Sequence, residues 1–208
     1  MDYLSFREKI VPLGCVSTEQ INLFFPGYDR NSITRWMTAG RLVKLRRGWY
    51  ALSECAAERD FSLYAAGKMV NPSYLSLQWA LSFYGMIPET IVSFTSVTTL
   101  KPQQYDNTLG TFVYQSMSPQ FFFGFEPRTR LGGRTYMLAT PEKALLDLLY
   151  LHPEYRTEED MVELRLDEDY LAEELNMDRL REYLTRWNSP ALDKRIRMLF
   201  KAYNLPVL

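Results

Sequence analysis

The chain has 208 residues, 47% hydrophobic and 24% charged, which supplies core for one domain or two small ones and excludes a largely disordered polymer. The formal net charge of −1 argues neither for nor against a polyanionic partner, but it is unevenly placed. Residues 1–52 hold eight Lys or Arg against four Asp or Glu, a balance of +4, leaving sixteen basic and twenty-one acidic residues, −5, for the remainder. That asymmetry is expected when one domain meets phosphate and the other does not.

Asp2, Arg7, Glu8 and Lys9 interrupt the stretch where the apolar core of a secretory signal would lie. Leu4, Ile10 and Val11 instead give a first helix over Tyr3–Val11, broken by Pro12 and Gly14. Ser17 or Thr18 caps a second helix, Glu19–Phe25, with Ile21, Phe24 and Phe25 inward, and Pro26-Gly27 ends it. Asp29 caps a third, Arg30–Ala39, before Gly40. Ile33, Trp36 and Met37 share its buried stripe, and Asn31, Thr34, Arg35 and Thr38 share the opposite face. The period then changes to that of strands: Leu42–Arg46 and Trp49–Leu52 flank Arg47-Gly48, a hairpin turn.

After a connector at 53–58, Asp60 is positioned to cap a helix running to Val70, and Ser73 to open another with Leu75, Leu77, Ala80, Leu81 and Tyr84 inward. Ile91–Val97, Thr111–Met117 and Phe121–Phe125 have the character of strands, and Arg128–Leu131 with Arg134–Leu138 form a second hairpin about Gly132-Gly133. Thr140-Pro141-Glu142 opens a helix to Leu151. The last fifty residues are expected to be helical and amphipathic, divided by Pro190. The fold class is α+β: a winged helix-turn-helix over 1–52, then a mixed α/β domain with a helical C-terminal tail over 59–208. No apolar run approaches a membrane span. Cys15 and Cys55, too few for a disulfide framework, are expected to be buried and reduced, so the chain is expected to be cytoplasmic.

Three short helices followed by a basic two-stranded wing suit double-stranded DNA. A helix of about ten residues fits the major groove and can present side chains to base edges. Asn31 suits adenine, Arg35 suits guanine, and Thr34 and Thr38 suit a thymine methyl or a phosphate. Arg30 adds to the same cationic surface. Arg41, Lys44, Arg46 and Arg47 are placed to neutralise phosphates from the wing, setting affinity and register while the base contacts set sequence choice. A charged helix face is also an ordinary solvated face, and Trp36, Trp49 and Tyr50 are read as core.

AGRLVKLRRGWYAL (Ala39–Leu52) resembles the wing of the AbiEi family antitoxins, predicted regulators of phage-defence toxin–antitoxin loci. PSYLSLQWALSFYGMIPE (Pro72–Glu89) and ATPEKALLDLLYL (Ala139–Leu151) resemble that family's second domain, so the likeness covers roughly residues 5–155. The resemblance implies a transcriptional repressor that binds operator repeats, with a second domain that helps counter a nucleotidyltransferase-type toxin. It implies a type IV pair, in which no stable toxin complex is required.

An enzyme is not expected, and no cofactor or metal is assigned. His152, the single histidine, precedes a proline at a helix end, and no Cys/His spacing suits zinc. Glu142, Lys143 and Asp147 are the best candidates for polar or metal-assisted chemistry. Glu142 also suits a helix N-terminus, and Lys143 with Asp147 has the i,i+4 spacing of a helix ion pair. Phe121, Phe123 and Phe125 are tentative partner-binding residues if they are exposed, and otherwise core. The acidic stretch Glu158–Glu174 reads as a solvated helical face. Two alternatives remain: a regulator of another locus whose second domain senses a ligand or partner, and a metal-dependent nuclease or nucleotidyltransferase.

Overall fold

A computed structural model describes residues 1–129 and 133–206. The chain runs α1 (Tyr3–Ile10), β1 (Cys15–Ser17), α2 (Thr18–Phe24), α3 (Arg30–Thr38), β2 (Leu42–Arg46) and β3 (Trp49–Leu52). These strands form a three-stranded antiparallel sheet in the order β1-β3-β2. Ser17, rather than Thr18, caps α2: its hydroxyl accepts from the Gln20 amide, and the Gln20 side chain returns a bond to the Ser17 N–H. Ile33 and Trp36 turn inward from α3, where Trp36 meets Phe6 at 4.8 Å and Tyr3 at 5.4 Å between ring centroids. Leu42 and Leu45 of β2 and Ala51 and Leu52 of β3 close this core from the sheet side.

Gly48 forms the β2–β3 turn with φ +76, a left-handed conformation that carries no Cβ penalty only in glycine. A Cβ there would come within 2.9 Å of the Thr18 hydroxyl oxygen. That hydroxyl and the Thr18 amide both donate to the Gly48 carbonyl, at 2.9 and 2.8 Å, and so fasten the turn to the start of α2.

The rest of the chain contains α4 (Ser53–Ala56), α5 (Phe61–Met69), β4 (Ser73–Leu75), α6 (Leu77–Phe83), β5 (Phe94–Thr98), β6 (Gln103–Asn107), β7 (Gly110–Ser116), β8 (Phe125–Thr129) and β9 (Thr135–Ala139). Then come α7 (Pro141–Leu151), α8 (Glu158–Glu163), α9 (Met177–Trp187) and α10 (Pro190–Ala202). The six strands β4–β9 make one mixed sheet in the order β6-β7-β5-β4-β9-β8, with β5/β7 and β4/β9 parallel and the other pairs antiparallel. The chain is therefore α+β. No helix among the described residues is long and apolar enough to cross a membrane.

Several expected elements differ. Ser73 opens a short central strand, not a helix; all three residues of β4 are buried between β5 and β9, and α6 begins only at Leu77. Asp60 precedes α5 but makes no side-chain cap bond, because its own φ is +63. The stretch Phe121–Phe125 is not a strand: Pro119–Phe121 forms a 3-10 turn, and extended pairing starts at Phe125, after Gly124 at φ +73. Arg130 and Leu131, the end of the second hairpin's first expected strand, and Gly132 of its expected turn lie outside the described residues, though β8 and β9 pair as a hairpin would. Within Glu158–Glu174 the chain is not one helical face: α8 stops at Glu163, and a π-helical turn occupies Tyr170–Glu174.

One apolar core runs through the whole chain. Arg134, just before β9, also ties the front to the back. Its guanidinium donates twice to the Glu58 carboxylate, at 3.0 and 3.1 Å, and reaches the Val11 carbonyl at 3.4 Å. It lies over the Phe61 and Tyr64 rings and packs so closely on Gly14 that a Cβ there would meet it at 2.7 Å.

Candidate nucleic-acid interface

Asp29 starts α3 by accepting a hydrogen bond from the Asn31 amide at 2.9 Å. The apolar stripe of the helix packs Ser32, Ile33 and Trp36 inward, so Asn31, Thr34, Arg35 and Thr38 stand exposed. Together with Ala39 those four line a shallow open groove of about 450 Å³. Arg35 donates to the Ser32 hydroxyl at 3.0 Å and lies 3.8 Å from the Asp29 carboxylate, with 71% of its side chain exposed. At that exposure the ion pair is weak. The guanidinium keeps donors free for a partner.

A second groove of about 430 Å³ joins the helix to the turn of the β2–β3 ribbon. It is lined by Arg30, Ile33 and Thr34 of α3, Arg47, Gly48 and Tyr50 of the ribbon, and Thr18, Glu19 and Tyr28. Arg30 and Arg47 are both exposed. Glu19 is the acid of this groove, and the Ser17 hydroxyl holds its carboxyl below the usual carboxylate range. The positive balance there rests on Arg30 and Arg47.

The remaining ribbon cations divide. Lys44 is exposed, opposite Tyr50 in the sheet. Arg41 is exposed and stacks over the Tyr3 ring at 4.7 Å, away from the turn. Arg46 departs from the expected surface: it is half-buried, donates to the Met69 carbonyl at 2.7 Å, and lies 5.5 Å from the Trp49 ring and 5.7 Å from the Tyr105 ring. A β-bulge between Lys44 and Arg46 re-aims it. Of the nine residues expected to meet DNA, eight are exposed and Arg46 points into the second half of the chain.

The other charged cluster has opposite surroundings. Lys143 and Asp147, one turn apart on α7, are bonded to each other and completely buried. Tyr74 and Ser76 donate to the second Asp147 oxygen at 2.9 and 2.7 Å, and Lys143 reaches the Tyr74 hydroxyl at 2.9 Å while lying 4.3 Å from the Trp187 ring. Burial pushes the Asp147 carboxyl up, opposed by Lys143, and pushes the Lys143 ammonium down, opposed by Asp147. Glu142 is buried as well; it accepts from the Asn176 amide at 3.0 Å and faces Arg179 at 3.7 Å. The expected helix pair is present, but inside the protein, and Glu142 stands in the first turn of α7 as expected, where it is also a buried bond acceptor. All three side chains are buried from solvent. Among the described residues, no three His, Cys, Asp or Glu side chains are grouped to hold a metal ion.

The phenylalanine run is partly internal, with Phe123 buried and Phe121 and Phe125 half-buried. Phe121 stacks on Trp187 at 5.0 Å, Phe123 is buried with its ring edge-on to Tyr183 at 5.3 Å, and Phe125 stacks on Tyr74 at 4.4 Å. Phe123 lies against the Lys143 ammonium at 5.2 Å, and the packing of all three rings fits the core alternative considered for them better than an exposed patch. Cys15 and Cys55 are free and buried, their thiols pushed up by burial to about 12 and about 11. His152 ends α7, with its ring nitrogens against Gln115 at 3.0 Å and Glu154 at 2.8 Å.

Tyr105 and Asn107, which approach the ribbon from a distant strand, gave no sequence signal beyond one aromatic in a polar run. No family model matches the chain, and no curated protein matches it.

Proposed function

We propose that the chain is a DNA-binding regulator whose front segment is a winged helix, with α3 in the major groove and the β2–β3 ribbon as the wing. The observation that carries this reading is the groove shared by Arg30 and Thr34 of α3 and Arg47 of the ribbon, continuous in chain order with the exposed Asn31, Arg35 and Thr38. The element order helix, strand, helix, helix and two-stranded ribbon is the layout such a docking needs. Asn31 and Arg35 are the base-reading candidates, and Arg30, Arg41, Lys44 and Arg47 contact phosphate.

The finer reading, an AbiEi-like antitoxin that represses its own locus and counters a nucleotidyltransferase-type toxin, rests on the motif likeness alone. A toxin of that class encoded beside this chain supports it; a different neighbour favours a regulator with a ligand- or partner-sensing second domain. The molecular test is a gel-shift titration of the full chain against its own upstream DNA at several salt concentrations. Affinity falls with a log–log slope of about −0.9 per phosphate neutralised. Arg35→Ala weakens the preferred sequence by roughly tenfold or more and flattens discrimination at one base position. Binding without salt dependence, or an Arg35→Ala, Arg47→Ala double variant that binds like the parent, overturns the proposal.

A further inference from the structure

Arg46 belongs to the wing by sequence and to the second sheet by contact. The bulge that re-aims it leaves Leu45 out of the β2–β3 register, and the Leu45 carbonyl is taken by the Asn107 side-chain amide at 2.9 Å. Asn107 closes β6, the edge strand of the six-stranded sheet, and its other side-chain atom accepts from the Leu109 amide at 2.8 Å. Arg46 meets the same strand through the Tyr105 ring and the end of α5 through the Met69 carbonyl. Two consecutive residues of the wing are thus held from outside the N-terminal segment, Arg46 by a backbone acceptor, the Met69 carbonyl, and Leu45 by a side-chain donor, the Asn107 amide.

We propose that the β6 edge is a brace that sets the angle of the wing against α3, and that Arg46, Tyr105 and Asn107 are positioning residues for nucleic-acid binding. The proposal rests on the DNA-binding reading above and adds a control that reading does not contain. Without the brace the ribbon keeps the β1–β3 pairing and the Thr18 bonds to the Gly48 carbonyl, but the β2 side of the turn is no longer held, and Arg47 is less firmly spaced from Arg30. Affinity then depends on residues that never touch DNA. A ligand or partner that moves the β6–β7 hairpin would change repression through the same contacts.

The test compares Arg46→Ala, Tyr105→Ala, Asn107→Ala and Arg47→Ala in the full chain, by DNA affinity across salt and by amide hydrogen exchange of residues 46–50 without DNA. A brace predicts that the first three each weaken binding roughly three- to tenfold, the range of one lost hydrogen bond, with an unchanged salt slope. Arg46→Ala combined with Asn107→Ala should cost less than the two separate losses together, because both release one element. Exchange in the turn should rise in all three. Arg47→Ala instead makes the salt slope shallower by about 0.9 and leaves turn exchange unchanged. A shallower slope in Arg46→Ala with parental affinity in Asn107→Ala overturns the proposal and makes Arg46 a phosphate contact. If the parent binds no DNA the regulator reading fails, and exchange still decides the brace: turn protection unaltered by Asn107→Ala removes it.

Discussion

The helices α3 and α7 begin alike and finish in opposite surroundings. Each starts from a side-chain cap, Asp29 for α3 and Thr140 for α7, and each carries ionisable residues along its length. Yet α3 buries Ser32, Ile33 and Trp36 and leaves its polar face to solvent, whereas α7 buries every residue from Glu142 to Leu149. The fate of the charges follows. A helix covered on all sides must pair each charge internally, since an uncompensated buried ion costs several kcal/mol. A helix covered on one side can leave its charges unsatisfied, and Asn31 and Arg35 are available to an outside partner for that reason.

The largest effect that sharpens this contrast lies on α7. Asp147→Ala removes the acceptor of Lys143, Tyr74 and Ser76 together and leaves an ammonium buried without its counter-charge. It is expected to destabilise the fold by about 3–5 kcal/mol in urea titration, and Lys143→Met on that background should recover a large part. Arg35→Ala on α3, where the side chain is 71% exposed, should fall within about 0.5 kcal/mol of the parent in the same assay. An Asp147→Ala variant as stable as the parent would mean that the buried pair is not what holds α7 in place.

A smaller effect divides stability from binding on α3 itself. Asp29→Ala deletes the cap and should cost about 1 kcal/mol in thermal or urea unfolding. Asp29→Asn retains the cap, so its stability should stay within a few tenths of a kcal/mol of the parent. It also removes the carboxylate 3.8 Å from Arg35, and DNA affinity at low salt should rise. Unequal stability between parent and Asp29→Asn would show that Asp29 acts through its charge and not through the cap.

The same contrast explains how far the sequence could be read. Ile33 and Trp36 stand at helical spacing on a helix buried on one side, so periodicity identifies their stripe and, by elimination, the exposed one. Arg47-Gly48 and Thr140-Pro141 are local signals, sufficient because turns and caps are decided within four residues. Where tertiary contacts decide, the pattern is silent. Lys143 and Asp147 have the spacing of a surface pair, and only the sheet strand carrying Tyr74 and the tail carrying Trp187 bury them. Ser73–Leu75 is too short and apolar for any period to separate strand from helix. Gln103–Asn107 is a polar edge strand without the alternation that marks a half-buried one, so Tyr105 and Asn107 could not be connected with Arg46. Arg46 has the sequence signature of a phosphate contact because a bulge leaves no mark in an alternating ribbon.

The mildest prediction concerns the tie between the two halves. The Arg134 guanidinium holds the Glu58 carboxyl below its usual value of 4.5, so the folded chain favours the ionised form more than the unfolded chain does. The stability this supplies is complete above about pH 4.5 and fades as pH falls through the lowered folded value. Glu58→Gln should therefore be less stable than the parent at pH 6, and the gap should narrow steadily below pH 4.5 in urea titrations at matched ionic strength. The gap should stay small throughout, because Glu58 is 41% exposed and water already shares the bond. Arg134 itself is only 14% exposed and also reaches the Val11 carbonyl, so Arg134→Ala should cost more than Glu58→Gln at every pH. A gap that widens on acidification would mean that the folded chain binds the extra proton, contrary to a lowered Glu58 carboxyl, and a gap that does not change with pH would mean that Arg134 acts through Gly14, Phe61 and Tyr64 rather than through Glu58.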